Sequence, residues 1–111
     1  MLDLKSTTKD APAIAGRIIE FRNDGNLPPI VVVENLDGSA SAAIKFQESD
    51  GSGWTDVPGT SRTINPNQSD AQIVSGATQR DIALHAGGNV KLLVHVIRQE
   101  DGELSDLGNI R

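Results

Sequence analysis

A hairpin that carries the only tryptophan of the chain constrains the fold more than any other segment. Residues 46–60 read FQESDGSGWTDVPGT, an alternating run, an acidic Gly-Ser turn and a second short run that begins at Trp54. Alternation of apolar and polar residues predicts a strand with one buried face, and Asp and Gly favour the turn between two such strands. Because runs of this size recur along the chain, the segment predicts an all-β fold.

Strand-length runs and turn signals alternate over most of the sequence. Asp37-Gly38 predicts a tight hairpin turn between the runs 30–36 and 39–48, and no stretch has a convincing helical period. Turn signals every 8 to 12 residues or so are typical of a sandwich or small barrel. We therefore predict a single antiparallel β-sandwich domain over residues 13–99 with about seven or eight short strands. A flexible polar arm over residues 1–12 and a polar tail over residues 100–111 are expected to flank it.

The charge distribution excludes several kinds of partner. Ten Lys and Arg residues against 15 Asp and Glu residues give a formal net charge of −5, and the basic residues are scattered along the chain. Binding to nucleic acid or to an anionic membrane needs clustered cations, so neither is expected. The N-terminus has no basic start followed by an apolar stretch, which predicts a chain made in the cytoplasm without a signal peptide.

No catalytic or metal motif stands out. The chain lacks cysteine, and its two histidines, His85 and His95, both fall in predicted strands without zinc-ligand spacing. A serine–histidine–acid arrangement can form in space from any order of residues, but no nucleophile signature marks one here. The Asp-Gly turns could offer oxygen ligands to calcium, yet none has the EF-hand spacing and all suit hairpins. We expect a protein that is not an enzyme and needs no cofactor or metal.

Trp54 admits two interpretations. Aromatic side chains dominate small cores, so the favoured prediction is that Trp54 closes the core over Phe46 or Phe21. Alternatively, Trp54 is exposed beside the polar residues Asp56, Arg62 or Gln47 and forms a ligand site for a carbohydrate or a receptor.

Some predicted strands are apolar on both faces, although a sheet with one wet face should alternate. Beside an inward set in the last long strand, Leu93 and Ile97 lie on the opposite face, and Ile18 likewise lies opposite its inward neighbours. All four residues of 30–33 are large and branched. Either a loop or the arm of the same chain covers the second apolar face, or another subunit does.

Three segments resemble known proteins. They are WTDVPGT at 54–60 after FQESDGSG at 46–53, RDIALHA at 80–86 leading into GGN, and KLLVHVIRQ at 91–99. With them the chain resembles the small β-sandwich virion proteins of tailed bacteriophages, above all the capsid decoration (cement) proteins. The resemblance implies an Ig-like or jelly-roll fold, a symmetric oligomer such as a trimer, and docking on the major capsid protein or other virion proteins.

On this interpretation the protein is a structural component of the virion that stabilises the capsid by protein–protein contacts. The alternative is a carbohydrate- or receptor-binding module of a phage tail or surface assembly, with Trp54, Asp56 and Arg62 as its ligand residues. The side chains expected at subunit contacts are large and apolar: Leu2, Leu4, Ile18, Val31, Val33, Leu93 and Ile97.

Overall fold

A computed structural model describes residues 3–23, 27–49, 51–74 and 80–98, and all regular structure in these ranges is β-strand. The strands are β1 (Asp3–Ala11), β2 (Gly16–Asn23), β3 (Ile30–Asn35), β4 (Ala42–Ser49), β5 (Trp54–Asp56), β6 (Arg62–Ile64), β7 (Ser69–Ile73), β8 (Arg80–Gly87) and β9 (Val90–Arg98). In these ranges there is no helix of the length and apolar character that crossing a membrane would need.

The nine strands form two antiparallel sheets. The first sheet has the order β1-β9-β3-β7, and the second has the order β2-β8-β4-β5, with β6 also paired to β4. Successive strands cross repeatedly from one sheet to the other, which is the jelly-roll arrangement and not the Ig-like one. The predicted antiparallel β-sandwich is confirmed.

The core lies between the two sheets. The residues that the apolar–polar alternation predicted to face inward are buried there. Ala42, Ile44 and Phe46 of β4 are buried against alternate residues of β9, from Val90 to Val96. Lys45 and Gln47 of β4 point to the outer face of the second sheet, because neighbouring residues of a strand face opposite ways. Each sheet therefore has an outer face that does not pack against the other sheet.

The prediction of a flexible arm over residues 1–12 is wrong for residues 3–11, because these residues form β1. This strand pairs with β9 along its whole length, from Asp3 opposite Arg98 to Ala11 opposite Val90. Its sequence, DLKSTTKDA, is too polar to show an apolar alternation. Backbone hydrogen bonds to β9 define this edge strand, so the domain begins before residue 13. Residues 1–2 and 99–111, with the predicted tail, lie outside the described residues.

The Asp37-Gly38 turn does not close a hairpin, contrary to the prediction. It connects β3 in the first sheet to β4 in the second. A carboxylate oxygen of Asp37 accepts hydrogen bonds from the backbone N–H groups of Ser39 and Ala40, at 2.8 and 2.6 Å. These donors, Ser39 first, hold the pKa of Asp37 below its usual range. The turn therefore connects the two sheets of the sandwich.

Val31 and Val33 cannot form the subunit contacts predicted for them. Both are buried in the core, with 0% and 1% of their surfaces exposed. The outward residues of β3 are Ile30, Val32 and Glu34, which are half-buried. Because β3 is apolar on both faces, its pattern alone did not indicate which set faced inward.

Candidate binding surfaces on the two outer faces

Trp54 lies on the outer face of the second sheet. The favoured prediction, that its side chain closes the core, is therefore wrong. Trp54 pairs with Ser49 in the β4–β5 hairpin, two residues away from the Gln47–Asp56 pair. Its side chain is half-buried, and the Arg17 guanidinium carbon lies over its ring at 5.2 Å from the centroid. Ala83 of β8 is fully buried yet does not belong to the core cluster. Side chains of the outer face therefore cover the middle of this sheet.

Asp56 is the acceptor at the centre of this surface. Its two carboxylate oxygens accept hydrogen bonds from Gln47 Nε2 at 2.9 Å and from Lys45 Nζ at 3.1 Å. These bonds, the Gln47 one first, hold the pKa of Asp56 below its usual range. The side-chain amide oxygen of Gln47, Oε1, is buried and has no hydrogen-bond partner among the described residues. We call Arg17, Lys45, Gln47, Trp54 and Asp56 the tryptophan face.

A groove of about 360 Å³ adjoins the tryptophan face. Lys45 of β4 and His85 of β8, which lie opposite each other, are the basic residues of its outward-facing lining, beside Ala15, Ser61 and Thr63. Arg62 lies opposite the core residue Ile44, so its side chain is on the other face of the sheet from Lys45. It donates to the carbonyl oxygens of Gly59 and Ser61 at 2.7 and 3.0 Å, its Nε lies 3.7 Å from Asp70 of β7, and it is not part of the tryptophan face.

The outer face of the first sheet carries a row of isoleucines. Ile30 of β3 lies directly opposite Ile97 of β9 on one side and Ile73 of β7 on the other. Ile73 is 55% exposed, and the other two are half-buried. With Val32 and Leu93 they form what we call the apolar face.

A chain of three polar side chains crosses the same sheet. The Oγ of Ser6 lies 2.7 Å from Nδ1 of His95, and Nε2 of His95 lies 2.8 Å from a carboxylate oxygen of Glu34. An ionised carboxylate only accepts, so Nε2 carries a proton and, in the neutral ring, Nδ1 accepts from the Ser6 hydroxyl. The residues come from three neighbouring strands, which hold the ring of His95 in one orientation.

This arrangement contains the side chains of a catalytic triad but not the surroundings of one. Acyl transfer also needs a concave site and donors aimed at a developing oxyanion. Ser6 is exposed on an open sheet. Ser6, His95 and Glu34 line neither the groove of about 360 Å³ nor a second groove, of about 250 Å³, that is lined by Trp54 and its neighbours. The network therefore suits an anchor within a binding surface better than a nucleophile.

The other predicted contact residues are divided between the two sheets. Leu93 and Ile97 lie together on the apolar face, opposite the inward set as the alternation predicted, and both are half-buried. Their role in subunit contacts stays a prediction. Ile18 is on β2 of the second sheet, where an irregularity between Arg17 and Ile19 interrupts the register and Ile18 packs partly on the core. Leu4 lies in β1 opposite Ile97, and Leu2 is outside the described residues.

Several residues of these surfaces were missed. Arg17, Lys45 and His85 meet only because β2, β8 and β4 are neighbours, and the pairing of Arg17 with His85 joins residues distant in sequence. The Gln47–Asp56 pair could have been found, because counting outward from the Gly-Ser turn of the hairpin sets its register. No comparable signal marked Ser6 or Glu34.

Solved structures share the fold, among them PirA and the Yersinia pseudotuberculosis-derived mitogen. PirA superposes with a TM-score of 0.59 at 13% identity, covering 84% of this chain and 92% of that one. The Yersinia pseudotuberculosis-derived mitogen gives a TM-score of 0.57 at 9% identity, covering 96% and 94%. At these identities the likeness is one of fold alone. No protein-family model matches the chain, and no curated protein matches it either.

Proposed function

We propose that the protein is a non-enzymatic structural protein that docks on a larger protein assembly through the apolar face. The observation that carries the proposal is the row of Ile97, Ile30 and Ile73 across three strands of the outer surface. Contiguous apolar patches on the outside of a domain often mark interaction sites. The sequence resemblance makes this proposal more specific: the larger assembly is the capsid of a tailed phage, which the protein decorates and stabilises.

The size of the apolar face favours a repeated partner over a single tight one. Its residues lie on three strands, which at a spacing of about 4.8 Å and a length of about 20 Å present roughly 300 Å² of flat surface. A stable interface buries about 800 Å² on each side, so one copy alone makes a weak contact. Contacts of this kind become durable when they are arrayed on a symmetric shell or joined in an oligomer.

Ile73→Asp tests the docking role. Its side chain is 55% exposed, so a carboxylate there leaves the fold intact but puts an unpaired charge in the contact. Leu93→Asp is less clean, because Leu93 lies opposite Glu34 and the change would place two carboxylates side by side. The matched control is Ile14→Asp, since Ile14 is 88% exposed and lies outside the sheets.

The measurement is co-sedimentation with tailed-phage particles purified from cells that make the protein. We expect the wild-type chain and Ile14→Asp to sediment with the particles, and Ile73→Asp to remain in the supernatant. Sedimentation velocity of the free protein reports whether it is a trimer or another oligomer. Equal binding by Ile73→Asp and the wild type, or no binding by either, would remove the docking role.

A second candidate function has its own observation. Half-exposed Trp54 shares one surface with Asp56, Gln47 and Arg17, a combination of ring and polar groups that suits a sugar. On this alternative the chain is a carbohydrate-binding module. Binding to a glycan array that disappears in Trp54→Ala and is retained in Ile14→Asp would support it, and an unchanged array signal in Trp54→Ala would refute it.

A further inference from the structure

The outer edge of β7 is a row of backbone groups with which none of the described strands pairs. β7 is an end strand of the first sheet, and its other side pairs with β3. A backbone bond at each end of this ladder, such as the one of 3.0 Å from the N–H of Val74 to the carbonyl oxygen of Pro29, sets its phase. Bonded and non-bonded pairs alternate in an antiparallel ladder, so Asp70 and Gln72 bond to β3. The residues between and beside them direct their N–H and C=O groups to the open edge: Ser69, Ala71 and Ile73.

The other edge strands carry features that oppose pairing with a further strand. Charged side chains, register irregularities and short length all protect the edges of sheets. β1 has the exposed charged residues Lys9 and Asp10, β2 has the irregularity between Arg17 and Ile19, and β5 and β6 are each three residues long. β7 is regular, and its three outward side chains are exposed and uncharged. Within the described part of the chain, β7 is therefore the edge best suited to accept another strand.

The sequence of β7 fits a second copy of itself. An antiparallel pair of identical strands has a two-fold axis, and an axis through Ala71 sets Ala71 opposite its own copy and Ser69 opposite Ile73. In each of these pairs both N–H groups meet a carbonyl oxygen, so all outward backbone groups of the three residues find partners. The small side chain of Ala71 leaves room at the axis.

Asp70, the charged residue of β7, does not oppose this pairing. It lies opposite the core residue Val33, so its side chain points away from the outer face, and its carboxylate lies 3.7 Å from Nε of Arg62 in the second sheet. The charge of Asp70 therefore faces a cation of the same chain. The pairing would set Gln72 of the other copy opposite Asp70, and Gln72 is an uncharged residue whose Nε2 donates to the carbonyl oxygen of Thr60 at 2.9 Å. Like charges do not meet across the axis.

We propose that two copies of this chain pair antiparallel through β7, so that their four-stranded first sheets become one continuous sheet. The inference stands on the β7 edge and does not depend on the docking role. It extends that role, because Ile73 lies on β7 and the apolar face of each copy reaches the joined edge. Two such faces present roughly 600 Å² together, closer to the roughly 800 Å² that one side of a stable interface buries. A two-fold pairing closes on itself, so it gives a dimer and not a trimer.

Substitutions at Ala71 test the pairing, because the axis sets this exposed residue opposite itself. Ala71→Lys and Ala71→Glu each place like charges directly opposite one another, so each variant alone is expected to dimerise about fivefold more weakly than the wild type. An equimolar mixture of the two variants is expected to dimerise again, since opposite charges then face each other. Ala71→Val is the matched control, because it changes the same side chain without adding charge.

Ala71→Pro tests the backbone bonds themselves. Proline removes the outward N–H of this residue and leaves the bonds between β7 and β3, so it is compatible with an edge strand. Dimerisation is expected to weaken at least about tenfold, because both bonds at the axis are lost. Sedimentation velocity over a concentration series measures the dimer of each protein.

Hydrogen exchange followed by NMR locates the contact. The amides of Ser69, Ala71 and Ile73 are expected to become protected as the protein concentration rises. Those of Asp70 and Gln72 already bond to β3 and serve as the internal control.

Recovery of the dimer in the mixture, with protection at alternate residues of β7, would establish the pairing. A wild-type chain that stays monomeric would overturn it, and so would an oligomer that Ala71→Lys and Ala71→Pro leave unchanged. Protection of this edge that appears only when phage particles are added to a monomeric chain would assign the edge to another protein and overturn the pairing as well. The docking role fails separately: a β7 dimer that does not sediment with the particles keeps the pairing and removes docking, and a monomer that sediments with them does the reverse.

Discussion

The guanidinium carbon of Arg17 lies 5.2 Å from the centroid of the Trp54 ring, although the two residues belong to the two end strands of the second sheet's β2-β8-β4-β5 path. Their side chains meet across β8 and β4. Between them lies Ala83, which is fully buried on the outer side of the sheet. The pair therefore both covers the sheet and forms part of the candidate sugar site.

This contact predicts a measurable coupling between the two residues. Arg17→Gln and Trp54→Leu should each destabilise the fold, and the double variant should cost about 0.5–1 kcal/mol less than the sum, because either change already removes the cation–π contact. Urea unfolding followed by circular dichroism measures all four proteins of the cycle. Strict additivity would mean that the contact contributes nothing.

Thr60 is expected to stabilise the hairpin through its hydroxyl. The side chain is 4% exposed, and its Oγ1 accepts from the backbone N–H of Phe46 at 3.0 Å and donates to the carbonyl of Val57 at 2.8 Å. Thr60→Val keeps the shape but leaves both backbone groups buried without that partner, which should cost about 2 kcal/mol.

Thr60→Ser is the matched control for this change. It keeps the hydroxyl and loses one methyl group, so the free energy of unfolding should fall by only about 1 kcal/mol. A Val variant as stable as the Ser variant would show that the two hydrogen bonds are not important for stability.

Gly88 is expected to resist substitution for steric reasons. Its φ is 121°, and an added Cβ would lie 2.4 Å from the carbonyl oxygen of Ser41, a backbone atom. Gly88→Ala should therefore cost at least about 3 kcal/mol, from backbone strain and the clash together. Gly51→Ala is the control, because Gly51 also has a positive φ but would meet nothing within 4 Å, and about 1 kcal/mol is expected. Equal midpoints in thermal unfolding would contradict the clash.

The depressed pKa of His85 gives stability a pH dependence of known sign. The ordinary value is 6.5, and the folded protein holds the pKa below it. In the window below pH 6.5 the unfolded chain therefore binds more protons, so the free energy of unfolding should fall as the pH decreases. His85→Gln should flatten this part of the curve. Asp37 and Asp56, whose ordinary pKa is 3.8, act at lower pH. Parallel curves for the two proteins between pH 7 and 5 would contradict the assignment.

The sequence by itself determined the local elements of this protein. Alternation in 42–48 placed Ala42, Ile44 and Phe46 in the core and Lys45 and Gln47 outside, and the Gly-Ser turn specified the β4–β5 hairpin. These are short-range properties, because the two-residue period of a strand and the geometry of a tight turn depend on neighbours in sequence.

Only the tertiary structure decided which surfaces these elements form. The pattern of β3 allows either face to be buried, and contact with the other sheet selected Val31 and Val33 over Ile30 and Val32. The polar residues 3–11 became a strand because β9 offered an unpaired edge. Long-range pairing also brought Arg17 to Trp54 and Ser6 to His95. No local pattern encodes such meetings, because they depend on how the strands are ordered across the two sheets.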